Sequence, residues 1–187
     1  MTGAAQETGL AIAVVGPSGA GKDTLMAAAL ARDPRLHLAR RVITRPADAG
    51  GEEFEAASVA DFEARRAAGD FALSWWAHGL FYGIPASVRQ EVAEGRIVLM
   101  NLSRGALAEA AALFPRFLTL YIHARPEILA ARLAARGRES GEDLAARIRR
   151  AGQWAEGLAV PVTTIDNSDG IDPALEQFMS AIRKALK

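Results

Sequence analysis

The chain has 187 residues, half of them hydrophobic, which is enough for one good core. Its 22 basic side chains balance 22 acidic ones, so no global field points to nucleic acid or to a membrane surface. There is no cysteine, which excludes a disulfide framework and thiol chemistry and fits a reducing compartment, the cytoplasm. The opening MTGAAQETG carries neither a basic residue nor an apolar run and reads as a frayed leader rather than a signal peptide. No apolar stretch is long enough to span a bilayer.

In chain order, LAIAVV (10–15) predicts a buried strand and DTLMAAALARD (23–33) a helix opened by a glycine loop. ARRVIT (39–44) is expected as the second core strand. Residues 45–95 interrupt the alternation: a Gly/Pro/acid-rich loop, a short amphipathic helix in VADFEARRAAG, an antiparallel pair from DFALSWW and LFYGI, and a helix with proline at its start in PASVRQEVAEG. Strands follow at 96–102, 117–122 and 161–166, with helices near 103–113, 126–136, 142–157 and 171–186. Strands and helices in alternation imply an α/β fold: a five-stranded parallel sheet with helices on both faces and any ligand at the strand C-termini. The expected organisation is a single domain over 1–187, with an inserted flap at about 45–95 and a second flap at about 137–142.

The chemistry starts in GPSGAGKDT, residues 16–24. Gly16, Gly21 and Lys22 fit the phosphate-binding pattern G-x-x-x-x-G-K-[ST], between a predicted strand and a predicted helix. Gly16, Gly19 and Gly21 let backbone N–H groups converge on phosphate oxygens, the helix N-terminus adds partial positive charge, and Lys22 reaches the β- and γ-phosphates. Pro17, Ser18, Ala20 and Thr24 complete the ATP-binding stretch. Lys22 is also the one lysine before Lys184 in an arginine-rich chain. The residue after it should be a hydroxyl and is Asp23. A carboxylate there is read either as an acid complementing the helix dipole or as a Mg²⁺ ligand, direct or through water, in place of the missing hydroxyl. The third core strand, VLMNLS, lacks the metal-facing aspartate that such strands often carry.

GPSGAGKDTL, ITRP, GEEFEAASVADF, FYGIP and RLAARGRES, in that order, resemble the guanylate-kinase branch of the P-loop kinases over roughly residues 10 to 186. The resemblance implies a flap that binds the acceptor and an arginine lid. The departures are informative. Where guanylate kinases carry polar residues that read guanine, the aligned positions here are Leu73, Ile84, Met100 and Leu102. A tyrosine that holds the acceptor phosphate becomes Phe54, and the second arginine of the phosphate clamp falls in a deletion around Asp48. Leu and Ile cannot discriminate a base by hydrogen bonding.

Phosphate machinery without base readers, together with GKD and ITRPA, is similar to the ribose 1,5-bisphosphate phosphokinases of bacterial phosphonate breakdown. These enzymes pass the γ-phosphoryl of ATP to the 1-phosphate of ribose 1,5-bisphosphate, giving 5-phosphoribosyl 1-diphosphate. The resemblance implies ATP and Mg²⁺ as cofactors and the sugar bisphosphate as partner, in a cytoplasmic monomer or homodimer. Arg41, Arg45 and Arg104 are candidate acceptor ligands, and Tyr82 offers a hydroxyl to phosphate. Among the lid arginines Arg132, Arg136, Arg138 and Arg147, the resemblance favours Arg136 and Arg147 as the catalytic closers. Asn167 is read either beside the adenine or in an Asx-turn that starts the last helix. Trp75 and Trp76 are expected in the aromatic core of the flap, and His78 and His123 are too isolated for a metal site. Two other readings stand: a drifted guanylate kinase or kinase of another phosphorylated metabolite, and a non-catalytic binding module, against which the intact loop argues.

Overall fold

The computed structural model describes residues 9–47, 52–135, 158 and 160–187. Strand β1 (Leu10–Val15) is buried along its whole length, and its alternation feeds two cores. Leu10, Ile12 and Val14 join one cluster; Ala11, Ala13 and Val15 join another on the opposite face. A strand with no polar face needs cover on both sides, which is what an all-parallel sheet provides.

Helix α1 (Lys22–Arg32) covers the first face with Leu25, Met26 and Ala29. The chain then enters β2 (Leu36–Leu38), the short edge strand of the main sheet. A second, four-stranded sheet follows, formed by β3 (Val42–Ile43), β4 (Glu55–Ala56), β5 (Phe71–Ala77) and β6 (Leu80–Pro85) in the order β4-β3-β6-β5. Helix α2 (Val59–Ala68) lies between β4 and β5 in the chain. Ser58 caps it, its Oγ accepting from the Asp61 N–H at 3.0 Å, and Gly69 ends it in the left-handed conformation. Its buried Phe62 stacks between Phe71 and Phe81, at centroid distances of 4.6 and 5.5 Å.

Helix α3 (Ser87–Ala93) leads back to β7 (Ile97–Asn101), and a 3₁₀ turn (Arg104–Ala106) runs into α4 (Leu107–Leu113). Then come β8 (Phe117–His123), α5 (Pro126–Ala135), β9 (Thr163–Asp166) and α6 (Ile171–Ala185). The main sheet has the order β2-β7-β1-β8-β9 and every pairing in it is parallel. Helix α6 packs Phe178, Met179 and Ile182 beside α1, while α3 and α4 cover the opposite face with Val88, Val92, Leu107 and Ala110. Because β7 and β8 flank β1, the loop after β1 opens at the rim where the strand order changes direction, the usual ligand position in such sheets. No helix among the described residues is long and apolar enough to cross a membrane.

The expected five-stranded parallel sheet with helices on both faces is present, but its second strand is not at 39–44. Leu36–Leu38 pairs with β7, the Ala39 N–H still donates to the Leu99 carbonyl at 2.9 Å, and the chain then leaves the main sheet. Val42–Ile43 pairs with β4 and β6 instead, so the second sheet begins before residue 45. Arg41, whose buried side chain donates back to the Asn101 carbonyl at the end of β7, stands at the break between the two sheets, inside the run read as one strand. Pro85 ends β6 rather than opening α3. The expected helix at 142–157 and flap at 137–142 lie outside the described residues.

Candidate active site at the loop after strand β1

The phosphate loop leaves β1 at Gly16, whose φ of 145° is paired with a close approach: a Cβ there would meet the Ile122 carbonyl oxygen at 2.1 Å. At the other end Gly21, with φ 90°, precedes the first turn of α1, and a Cβ on it would lie 2.3 Å from Asn167 Nδ2. The loop is therefore squeezed from both sides into the shape that points the α1 N-terminus at the cleft. Lys22 arches over it, its ammonium donating to the carbonyls of Gly16 at 2.9 Å and Pro17 at 3.1 Å.

The cleft encloses about 460 Å³. Gly16, Ser18, Gly19, Gly21, Lys22, Asp23 and Thr24 line the loop side; Ala20 is buried beneath it. The opposite wall comes from the second sheet and from the end of β7, including Arg41, Glu52, Trp75, Trp76, Tyr82, Asn101 and Arg104. The loop and the sequence-expected Arg41, Tyr82 and Arg104 thus share one cavity. Arg45 is not among its lining residues; its guanidinium lies on the Phe54 ring, 4.1 Å from the centroid, with Nε and Nη2 buried and without hydrogen-bond partners. Phe54 has lost a hydroxyl relative to the resembled family and serves as a platform for that arginine. Arg136 and Arg147 lie outside the described residues.

Asp23 does not stand alone. Its Oδ1 accepts from Asn101 Nδ2 at 3.1 Å, so the carboxylate on the loop touches the amide at the strand position where a metal-facing acid was missing. The Asn101 carbonyl accepts from Arg41 Nη1 at 3.1 Å. Arg41 also forks onto Glu52, with Nε to Oε2 at 2.9 Å and Nη2 to Oε1, and covers the Tyr82 ring at 5.1 Å. Tyr82 stacks on Trp75, with centroids 5.4 Å apart and planes 6° from parallel. Burial pushes the Tyr82 hydroxyl above its ordinary pKa, against the pull of Arg41 and Arg45, so it stays protonated and can donate a hydrogen bond. Among the described residues, no group of three or more His, Cys, Asp or Glu side chains could hold a metal by itself.

Glu52 escaped the sequence reading, being one acid in a Gly/acid-rich loop. The signal was the arginine: a buried Arg41 requires a counter-charge, and GGEEF is where the flap supplies one. Trp76 is not core but 64% exposed on the cleft wall, while Trp75 is half-buried against Tyr82. The four positions expected to have lost their base readers converge. Leu73 faces Ile84 across the β5–β6 hairpin, and both join Met100 and Leu102 in one apolar cluster.

Asn167 is 4% exposed and does not line the cleft. Its Nδ2 donates to the Ala20 carbonyl at 2.7 Å, and its own carbonyl accepts from Arg132 Nη2 at 2.9 Å. The Asx-turn belongs to Asp166, whose Oδ1 accepts from the Ser168 N–H at 2.9 Å. Asn167 thus holds the loop from behind. Asn167→Ala leaves a buried carbonyl without its close donor and is expected to weaken nucleotide binding about tenfold, measured by calorimetric titration. Unchanged affinity would mean that the loop keeps its shape without this bond.

No family model matches the chain. Among solved structures it resembles the guanylate kinase of Anaplasma phagocytophilum, with a TM-score of 0.71 at 16% identity over 95% of this chain and 86% of that one. It also resembles a gluconokinase of Sinorhizobium meliloti, with a TM-score of 0.53 at 14% identity over 95% and 94% of the two chains. These likenesses show the P-loop kinase fold. Among curated relatives, the ribose 1,5-bisphosphate phosphokinase of Agrobacterium fabrum is 47% identical over 177 residues, covering 93% of this chain and 96% of the relative. That of Rhizobium etli is 47% identical over 187 residues, covering 98% and 94%. A bifunctional ribose 1,5-bisphosphokinase-thymidine phosphorylase of Cupriavidus necator is 45% identical over 94% of this chain, which corresponds to 29% of that longer protein. At this identity and coverage, the chain belongs to the ribose 1,5-bisphosphate phosphokinase family.

Proposed function

We propose that the chain transfers the γ-phosphoryl of ATP to the 1-phosphate of ribose 1,5-bisphosphate, forming 5-phosphoribosyl 1-diphosphate in the cytoplasmic breakdown of phosphonates. The observation that carries this reading is the pairing of an intact phosphate loop with an apolar cluster at Leu73, Ile84, Met100 and Leu102. A base would find no hydrogen-bonding partner on those four side chains. A sugar bisphosphate asks for none and needs cations and hydroxyls instead, for which Arg41, Arg104 and Tyr82 on the cleft wall are the candidates.

The acceptor oxygen is already anionic, so the reaction needs no general base; it needs alignment and neutralisation of charge. Lys22 is assigned to the β- and γ-phosphates, with Arg136 and Arg147 closing from the lid. The donor set fits Mg²⁺, which is commonly held by one or two carboxylates together with substrate phosphates and water. Asp23, oriented by Asn101, supplies a hard oxygen at the loop, and Thr24 a neighbouring hydroxyl. When bound, the ion neutralises charge on the transferring phosphoryl group.

With ATP and Mg²⁺, ribose 1,5-bisphosphate should be a good acceptor and GMP a poor one in a coupled assay of ADP release. Efficient use of GMP at low concentration would sink the reading. A separate expectation concerns Asp23→Ala: the Mg²⁺ concentration for half-maximal activity should rise, and ATP affinity should fall more with Mg²⁺ present than after chelation. A purely repulsive carboxylate gives the reverse, with metal-free ATP binding better and the Mg²⁺ titration unmoved.

A further inference from the structure

Glu52 is a carboxylate on the wall of a cleft whose ligands, under the proposed function, are polyanions. Three roles are open to such a group. A metal ligand is one, but both Glu52 oxygens already face the Arg41 guanidinium, and a cation bound there would meet an arginine fork. A general base is another, but the acceptor is a phosphate oxygen that carries no proton to remove. The third is an acceptor for hydroxyl donors. Each carboxylate oxygen has two lone-pair directions, and Arg41 takes one on each, leaving the others for a ligand.

The pair is built for that third role. Arg41 and Glu52 side chains are 10% and 17% exposed, so the carboxylate is fixed in place and its charge offset before any ligand arrives. The Asn101 carbonyl takes the other arm of Arg41 and stops the fork from rotating away. A neutralised, immobile carboxylate accepts hydroxyl hydrogen bonds with little repulsion toward nearby phosphates.

We infer that Glu52 is a specificity-determining residue that reads the ribose hydroxyls of the acceptor, with Arg41 as its positioning residue. This rests on the acceptor being a sugar bisphosphate. Between the two phosphate-binding ends of such a molecule, the 2- and 3-hydroxyls are what distinguish ribose from its deoxy analogues. A site that hydrogen-bonds a hydroxyl rejects the analogue lacking it, because the buried acceptor is left unpaired.

The test compares kcat/KM for ribose 1,5-bisphosphate and 2-deoxyribose 1,5-bisphosphate in the wild type and in Glu52→Gln. The wild type should prefer the ribose compound about tenfold or more. In Glu52→Gln that preference should shrink toward unity, mainly through KM for the ribose compound. A merely structural Glu52 would lower both activities together and leave the ratio at its wild-type value; that result overturns the inference, and it is readable even if the variant unfolds at a lower temperature. Equal use of both sugars by the wild type overturns it as well while leaving the proposed function standing. A wild type active on neither sugar overturns both.

Discussion

One buried guanidinium ties the site together. Arg41 stands where the chain passes from the main sheet to the second sheet, and its contacts point both ways. It holds the carbonyl of Asn101 at the end of β7, the carboxylate of Glu52 in the flap, and the face of Tyr82 on β6. A charge this deeply buried is tolerated only when paired and hydrogen-bonded, so its surroundings are constrained in turn. Asn101 is pinned by its backbone to Arg41 and by its side chain to Asp23. The acidic anomaly in the phosphate loop is thereby connected, through two residues, to the acidic residue in the acceptor wall.

That chain of contacts divides the cleft by chemistry. The loop side is backbone amide, ammonium and carboxylate, suited to a metal-bound triphosphate. The flap side is arginine, aromatic and carboxylate, suited to a small phosphorylated polyol. Behind the flap side, where the resembled guanylate kinases read a base, the polar positions have become core. This is not passive loss: Leu73, Ile84, Met100 and Leu102 share a cluster with Val88 and Val92 of α3 and with Leu107 of α4, so they help attach the second sheet to the first. The same four residues offer a base no hydrogen-bonding group and add packing.

Much of this was legible in the sequence, for identifiable reasons. LAIAVV sits in the middle of a sheet covered on both faces, and its unbroken apolar run says so. The phosphate loop is a backbone device, specified locally by its glycines and lysine. What escaped depends on tertiary pairing. The edge strand Leu36–Leu38 is three residues long, too short for any periodicity to declare. Glu52 gains its meaning from Arg41, eleven residues earlier, through a contact that no local pattern encodes. Asn167 lies 147 residues from Ala20, the loop residue whose carbonyl it holds, so no local pattern in DNSDG declares that contact.

The central claim is that an anionic phosphate oxygen, not a hydroxyl, attacks the γ-phosphorus, so that the step needs no general base. Phosphorus-31 NMR of the product mixture from ATP, Mg²⁺ and ribose 1,5-bisphosphate addresses it directly. The account predicts that the 1-phosphate signal is replaced by a pair of mutually coupled diphosphate resonances while the 5-phosphate stays a monoester. A third monoester on the sugar, with no new phosphorus–phosphorus coupling beyond that of ADP, would contradict it.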